Sequence, residues 1–331
     1  MSKRLAEFQS ALNKRPLRAG DYVEVMSAAE IERTLDDRGT LDGVHFMSEM
    51  LQYCGRRFVV YRRAERICDT VNYSGIRRMP DTVLLSDLRC DGTGHDGCQA
   101  ECRLFWKESW LRRIESSDPQ TARDGDAASG VFAARLPECS KSTVEVDGKQ
   151  VTTYSCQATC VPHASKHLAL WDARSYMREF TSGNVPLGRL LRVTARAAVE
   201  EPLRKLHLMP DIWLPGVGTG KDPEELLNLQ PGEWVQVKNR DEIAQFLSPE
   251  GRSRGMWFDR EMLPYCGKKY QVRQRVSQFI DERDGRMKRI KNCVTLEGVV
   301  CTGNLSLRRW FCPREIFPYW RESWLRRVTE P

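Results

Sequence analysis

Apolar and polar residues alternate after Gly20 in GDYVEV and after Gly232 in GEWVQV, the period-two signature of a short, half-buried strand entered from a turn. A helical turn or loop follows around residues 28–35. From Gly55 the alternation resumes in RRFVVYRRAERI, breaks between Asn72 and Gly75, and returns as RRMPDTVLLSDLRC; the downstream counterpart turns at Asp284 and Gly285 and returns as IKNCVTLEGVVC. Period-two runs on both sides of turn residues predict long antiparallel hairpins. The closing segments FWKESWLRRI and YWRESWLRRV change period. Trp320, Trp324 and Leu325 recur at i, i+4 and i+5, and Pro313 falls where a first helical turn tolerates proline, so each is expected to be a helix burying its tryptophans.

These elements occur twice in one order. Residues 20–60 read without gaps onto 232–272, matching Glu30-Ile31 to Glu242-Ile243, Phe46 to Phe258, Glu49-Met50 to Glu261-Met262, and Tyr53-Cys54-Gly55 to Tyr265-Cys266-Gly267. Two copies are too few for an open solenoid, so each is expected to close its own core. A small barrel entered by G-D/E-x-V-x-V and built on a long twisted hairpin resembles the SH3-like barrels. The expected fold is α+β, mainly β, with two such barrels, each followed by a C-terminal helix. Between them, STVEVDGKQVTTYS predicts a hairpin with a type I′ turn at Asp147 and Gly148. A helical pattern then runs from about residue 168 to 191, broken at Ser182-Gly183-Asn184, and residues 195–228 read as irregular. The boundaries that follow are an N-terminal extension 1–19, repeat 1 at 20–115, a central region 116–228 opening on a polar linker, and repeat 2 at 229–331.

Composition narrows the function classes. The 331 residues are 40% hydrophobic, enough for more than one core. No apolar stretch approaches the ~20 residues of a membrane helix, and the charged N-terminus lacks a secretory apolar region, giving a cytoplasmic expectation with no membrane partner. The net charge of +7 is modest, and the 52 Lys and Arg are scattered among 45 Asp and Glu. Nucleic acid is therefore disfavoured unless Arg56, Arg57, Arg62, Arg63 and Arg66 gather on one face.

Twelve cysteines are the chemical signal. A reducing compartment disfavours disulfides and moves metal ligation forward. Residues equidistant from a hairpin turn face one another, which pairs Cys54 with Cys90, Cys266 with Cys301 and Cys139 with Cys156 at three hairpin bases. Further ligands follow each pair. Repeat 1 adds His95, Cys98 and Cys102; the central region adds Cys160 with His163 and His167; repeat 2 adds Cys312 and has Ile316 where Cys102 stands. The C-x3-C spacings put two thiols on one face of a helical turn. Cys54, Cys90, Cys98 and Cys102, with His95 as substitute, would make a tetrahedral zinc site, and Cys139, Cys156, Cys160 and a histidine a second. Cys266, Cys301 and Cys312 would be an open site, one completed from elsewhere, or small apolar packing groups. Cys68 and Cys293 have no counterpart and read as core thiols. An iron–sulfur cluster is the alternative occupant of the same thiols.

Other signals are weaker. Pro215 to Asp222 resembles a phosphate loop but lacks its first glycine and its Ser or Thr, so it reads as a connector. His45 and His207 read as structural. Glu49 and Glu261 read as matched barrel-capping contacts, with acid–base chemistry as the alternative. No serine-hydrolase or zinc-protease motif is present. The combination F-x-x-E-M-L-x-Y-C-G, C-D-G-x-x-H-x-G-C-Q-A-x-C and C-P-R-x-x-x-x-Y-W-R-E-x-W-L-R-R resembles an uncharacterised bacterial family encoded among polysaccharide and natural-product biosynthesis genes. Cys160 departs from the pattern, where an ordinary helical residue is expected. The expected role is that of a metal-stabilised binding or accessory module for an enzyme of a biosynthetic pathway, with a protein partner and a small-molecule ligand as candidates; the alternative is a metalloenzyme whose site lies where the first hairpin, Cys98 to Cys102 and the central Cys139–Cys156 hairpin converge.

Overall fold

The structure is a computed structural model that describes residues 15–115, 130–209, 214–220, 227–305 and 308–330. The fold is α+β and mainly β, built on antiparallel sheets. The chain divides into two compact units. Unit 1 comprises Met1–Leu187, Ile280–Lys288 and Phe311–Arg314; unit 2 comprises Gly188–Phe279, Arg289–Trp310 and Glu315–Pro331.

In unit 1 a five-stranded sheet contains β1 (Tyr22–Val25), β2 (Arg57–Arg63), β3 (Thr82–Arg89), β4 (Arg103–Lys107) and β5 (Leu111–Ile114), in the order β4-β3-β2-β1-β5. The first hairpin forms as the alternation requires, with Val60 opposite Leu85 and a bulge before Arg63 meets Val83. The central hairpin pairs β6 (Lys141–Val146) with β7 (Lys149–Tyr154), and Asp147 and Gly148 both have positive φ, as a type I′ turn demands. Around the sheet lie α1 (Ala28–Glu32), capped by the reciprocal Ser27 and Glu30 bonds, α2 (Gly130–Cys139), the short α3 (Val161–Ala164), and α4 (Ala173–Thr181). The expected linker falls almost wholly outside the described residues.

A second sheet, most of it in unit 2, repeats the arrangement. Strands β8 (Trp234–Val237), β9 (Lys269–Ile280), β10 (Met287–Leu296), β11 (Trp320–Arg321) and β12 (Leu325–Arg327) follow the order β11-β10-β9-β8-β12. Both cores rest on the same aromatic pair, Phe46 on Trp110 and Phe258 on Trp324, each edge-to-face at 5.3 Å between centroids.

The expected C-terminal helices are absent. FWKESWLRRI is β4, a 3-10 turn at Glu108–Trp110 and β5, and YWRESWLRRV folds the same way around Glu322–Trp324. The first strand of each repeat has a free edge that the last strand covers, Val25 facing Leu111 and Val237 facing Leu325, so sheet pairing outweighs the helical spacing. The tryptophans are buried all the same. A second correction concerns residues 195–205: the helix after the Gly183 break runs Leu187–Lys205 (α5), with Pro202 inside it. The Gly-rich connector packs tightly. A Cβ on Gly216 would lie 1.9 Å from the Leu247 carbonyl oxygen, and the amides of Gly216, Val217 and Gly218 bond to backbone carbonyls, leaving none of the three for a phosphate. Among the described residues, no helix is long and apolar enough to cross a membrane.

Candidate metal centre

The candidate site lies in unit 1, where the chain leaves β3 at Cys90 and makes a tight loop to Cys98. Cys90 N–H is tied to the Cys102 carbonyl, and Asp91 caps the turn by accepting from the Thr93 amide and hydroxyl. Gly92, at φ +75°, sits so close to Cys98 that a Cβ would lie 2.1 Å from its carbonyl oxygen. This fold-back brings His95 inward until it is 1% exposed. Opposite, the 3-10 turn Ser48–Tyr53 presents Glu49, also buried. Gly94 makes the approach feasible: a Cβ there would lie 2.5 Å from Glu49 Oε2.

The Cys90 thiol donates to Glu49 Oε1 at 3.0 Å, and His95 Nδ1 lies 3.4 Å from the same oxygen. That histidine contact is electrostatic, because neither ring nitrogen makes a well-formed hydrogen bond. One ligand atom from each of Glu49, Cys90 and His95 lies within 4.8 Å of the others, and among the described residues no other trio does so. Burial alone would raise the Glu49 pKa, but the His95 ring and the Cys90 thiol hold it below the ordinary carboxylate range. Burial, then the Glu49 charge, push the Cys90 thiol far above its usual value. His45 lies near enough for the His95 charge to matter; burial first, then His95, lower its pKa to about 4. A buried carboxylate, thiol and unsatisfied imidazole are a zinc-type donor set, and the ligand atoms need close only to the ~3.5 Å separations of a tetrahedral ion. Binding would take the proton from Cys90.

Beside the trio is a cavity of about 30 Å³, lined among others by Met47, Cys90, His95, Cys98, Cys102 and Cys156. Gln157 delivers the central segment to it. Its side-chain oxygen accepts from the Phe105 amide at 2.7 Å while its Nε2 donates to the carbonyls of Phe105 and His45, both at 2.8 Å, so it docks on β4 like a strand partner.

The structure sorts the sequence-predicted ligands differently from the hairpin rule. Cys90, His95, Cys98, Cys102 and Cys156 converge on the cavity. Cys54 caps its 3-10 turn and packs in the apolar core. Cys139 ends α2, with its thiol toward the Asp37 carbonyl. Cys160 donates to the Gln157 carbonyl, and His163 and His167 are exposed. In unit 2 Cys266 packs against the core and Cys301 Sγ accepts the Ile316 amide. Cys312 belongs to unit 1, where its sulfur accepts from the Cys68 amide. Among the described residues, Cys266, Cys301 and Cys312 do not form a group at metal-ligand spacing. Register fixes which backbones are opposite, but not which way two side chains turn. Glu49 was legible only as a matched glutamate; Gly94, the neighbour that makes room for it, carried no recognisable signal.

No protein-family model, curated protein or solved structure matches this chain.

Proposed function

We propose that the protein is a zinc-stabilised, tandem SH3-like binding module that serves as an accessory to an enzyme of a bacterial biosynthetic pathway. The observation that carries the metal assignment is the Glu49–Cys90–His95 group, buried at Glu49 and His95 and half-buried at Cys90, with its unsatisfied imidazole. The common strand order of the two sheets, with the first strand between the second and the last and a 3-10 turn before the last, supports the SH3-like reading. Such a barrel supports docking and catalysis alike, so the fold does not choose. In unit 2 Trp257 is 52% exposed and stacks under Arg252, which supports the docking reading.

The metalloenzyme reading has its own support: three protein ligands leave a coordination position, and a cavity adjoins it. Elemental analysis with an absorption spectrum, on protein purified without oxygen, tests the metal on which both readings rest. Zinc without visible absorption supports a zinc centre, iron with visible bands supports the iron–sulfur alternative, and protein free of metal contradicts all of these.

A further inference from the structure

Three cavity cysteines remain outside the trio. Cys98 stands at the end of the Cys90 loop, Cys102 four residues on before β4, and Cys156 on the segment that Gln157 docks. We propose that Cys98, Cys102 and Cys156 bind a second thiophilic cation of the zinc class, separate in its ligands from the Glu49–Cys90–His95 centre.

The three thiols line one small cavity, Cys98 and Cys102 from the segment before β4 and Cys156 from the turn that Gln157 docks there. Ile280 N–H adds a bond to Cys98 Sγ at 3.4 Å, and the Thr159 amide faces Cys156. Hydrogen bonds to the charged form favour a thiolate.

The buried guanidinium of Arg314 lies close enough to Cys102 to offset part of the net negative charge of three thiolates around one divalent ion. The cavity has room for an ion. Its thiols surround it more widely than the 4.8 Å of the trio, so binding draws them inward.

Cadmium titration of the full metal-free chain, followed by sulfur-to-metal charge-transfer absorption, tests this. Two equivalents are expected, one with about three times the absorbance of the other, because one ion gains three thiolates and the other one. Cys98→Ser/Cys102→Ser/Cys156→Ser should lose the strong component alone, Cys90→Ser the weak one alone, and Cys160→Ser neither. Loss of the weak component with retention of the strong one would separate failure of the first assignment from failure of this one. A single equivalent, a second ion that survives the triple substitution, or iron with acid-labile sulfide on these thiols would overturn it. The wild-type titration decides alone should the triple variant not fold.

Discussion

Glu49 and Glu261 occupy the same place in the two repeats, each buried in the same 3-10 turn before Tyr-Cys-Gly, yet they meet different partners. Glu261 is bound by backbone and hydroxyl donors: the Thr302 amide at 2.8 Å, its hydroxyl at 2.7 Å and the Leu305 amide at 2.7 Å. Glu49 instead faces the Cys90 thiol and the His95 ring. The corresponding Cys301 turns to the Ile316 amide. One scaffold carboxylate is thus committed to closing a loop in repeat 2, and in repeat 1 it faces side chains that a metal can use. A buried carboxylate has to be compensated, and the duplicated turn shows two ways of doing so.

Chelation should make the largest difference between the repeats. With free zinc at about a thousand times its dissociation constant, removal costs roughly 4 kcal/mol. A melting transition assigned to unit 1 should fall by about 10 °C, and that of unit 2 should stay put. Equal shifts in calorimetry would break the comparison.

Glu261→Gln should cost unit 2 about 3 kcal/mol in denaturant unfolding, because an amide nitrogen cannot accept from the Thr302 and Leu305 donors. Zinc content should not change.

Glu179 sharpens the contrast, because it is buried with neither provision: Asn184 donates to one oxygen at 3.1 Å and the other has no partner. Burial raises its pKa to about 8, with Asn184 opposing. A raised folded pKa means that its protonated form stabilises the fold below the unfolded value near 4.5, and that this contribution is lost as pH rises to about 8. Between pH 5.5 and 8.5 the wild type should lose roughly 3 kcal/mol that Glu179→Gln retains, and urea unfolding at the two pH values measures it.

Gly94→Ala should have the smallest effect when the metal-free proteins are compared, roughly 2 kcal/mol, while displacing Glu49 enough to release zinc. Zinc retained in this variant would argue that Glu49 is not a ligand.

Much of this architecture is legible in the sequence because strands declare themselves by period. The alternating runs, the turns at Asp147-Gly148 and Asp284-Gly285, and the duplication all correspond to observed elements. The W-L-R-R segments misled because Trp and Leu at helical spacing also fit a strand, a 3-10 turn and a strand; the vacant edge of the first strand decides between them, and that edge is a tertiary fact. The site was half legible. Cys90, His95, Cys98, Cys102 and Cys156, expected as ligands, do line one cavity, but Cys54 and Cys139 could not be set apart from them, since side-chain direction at a strand end depends on the cap and on what packs there. Glu49 was concealed by its twin, because a residue shared by both repeats reads as scaffold.

The central claim is that the matched glutamates do different work, and zinc analysis of Glu49→Gln beside Glu261→Gln tests it most directly. The expected result is one zinc equivalent fewer in Glu49→Gln and the wild-type count in Glu261→Gln. Full zinc in Glu49→Gln, or loss of zinc in Glu261→Gln, would contradict it.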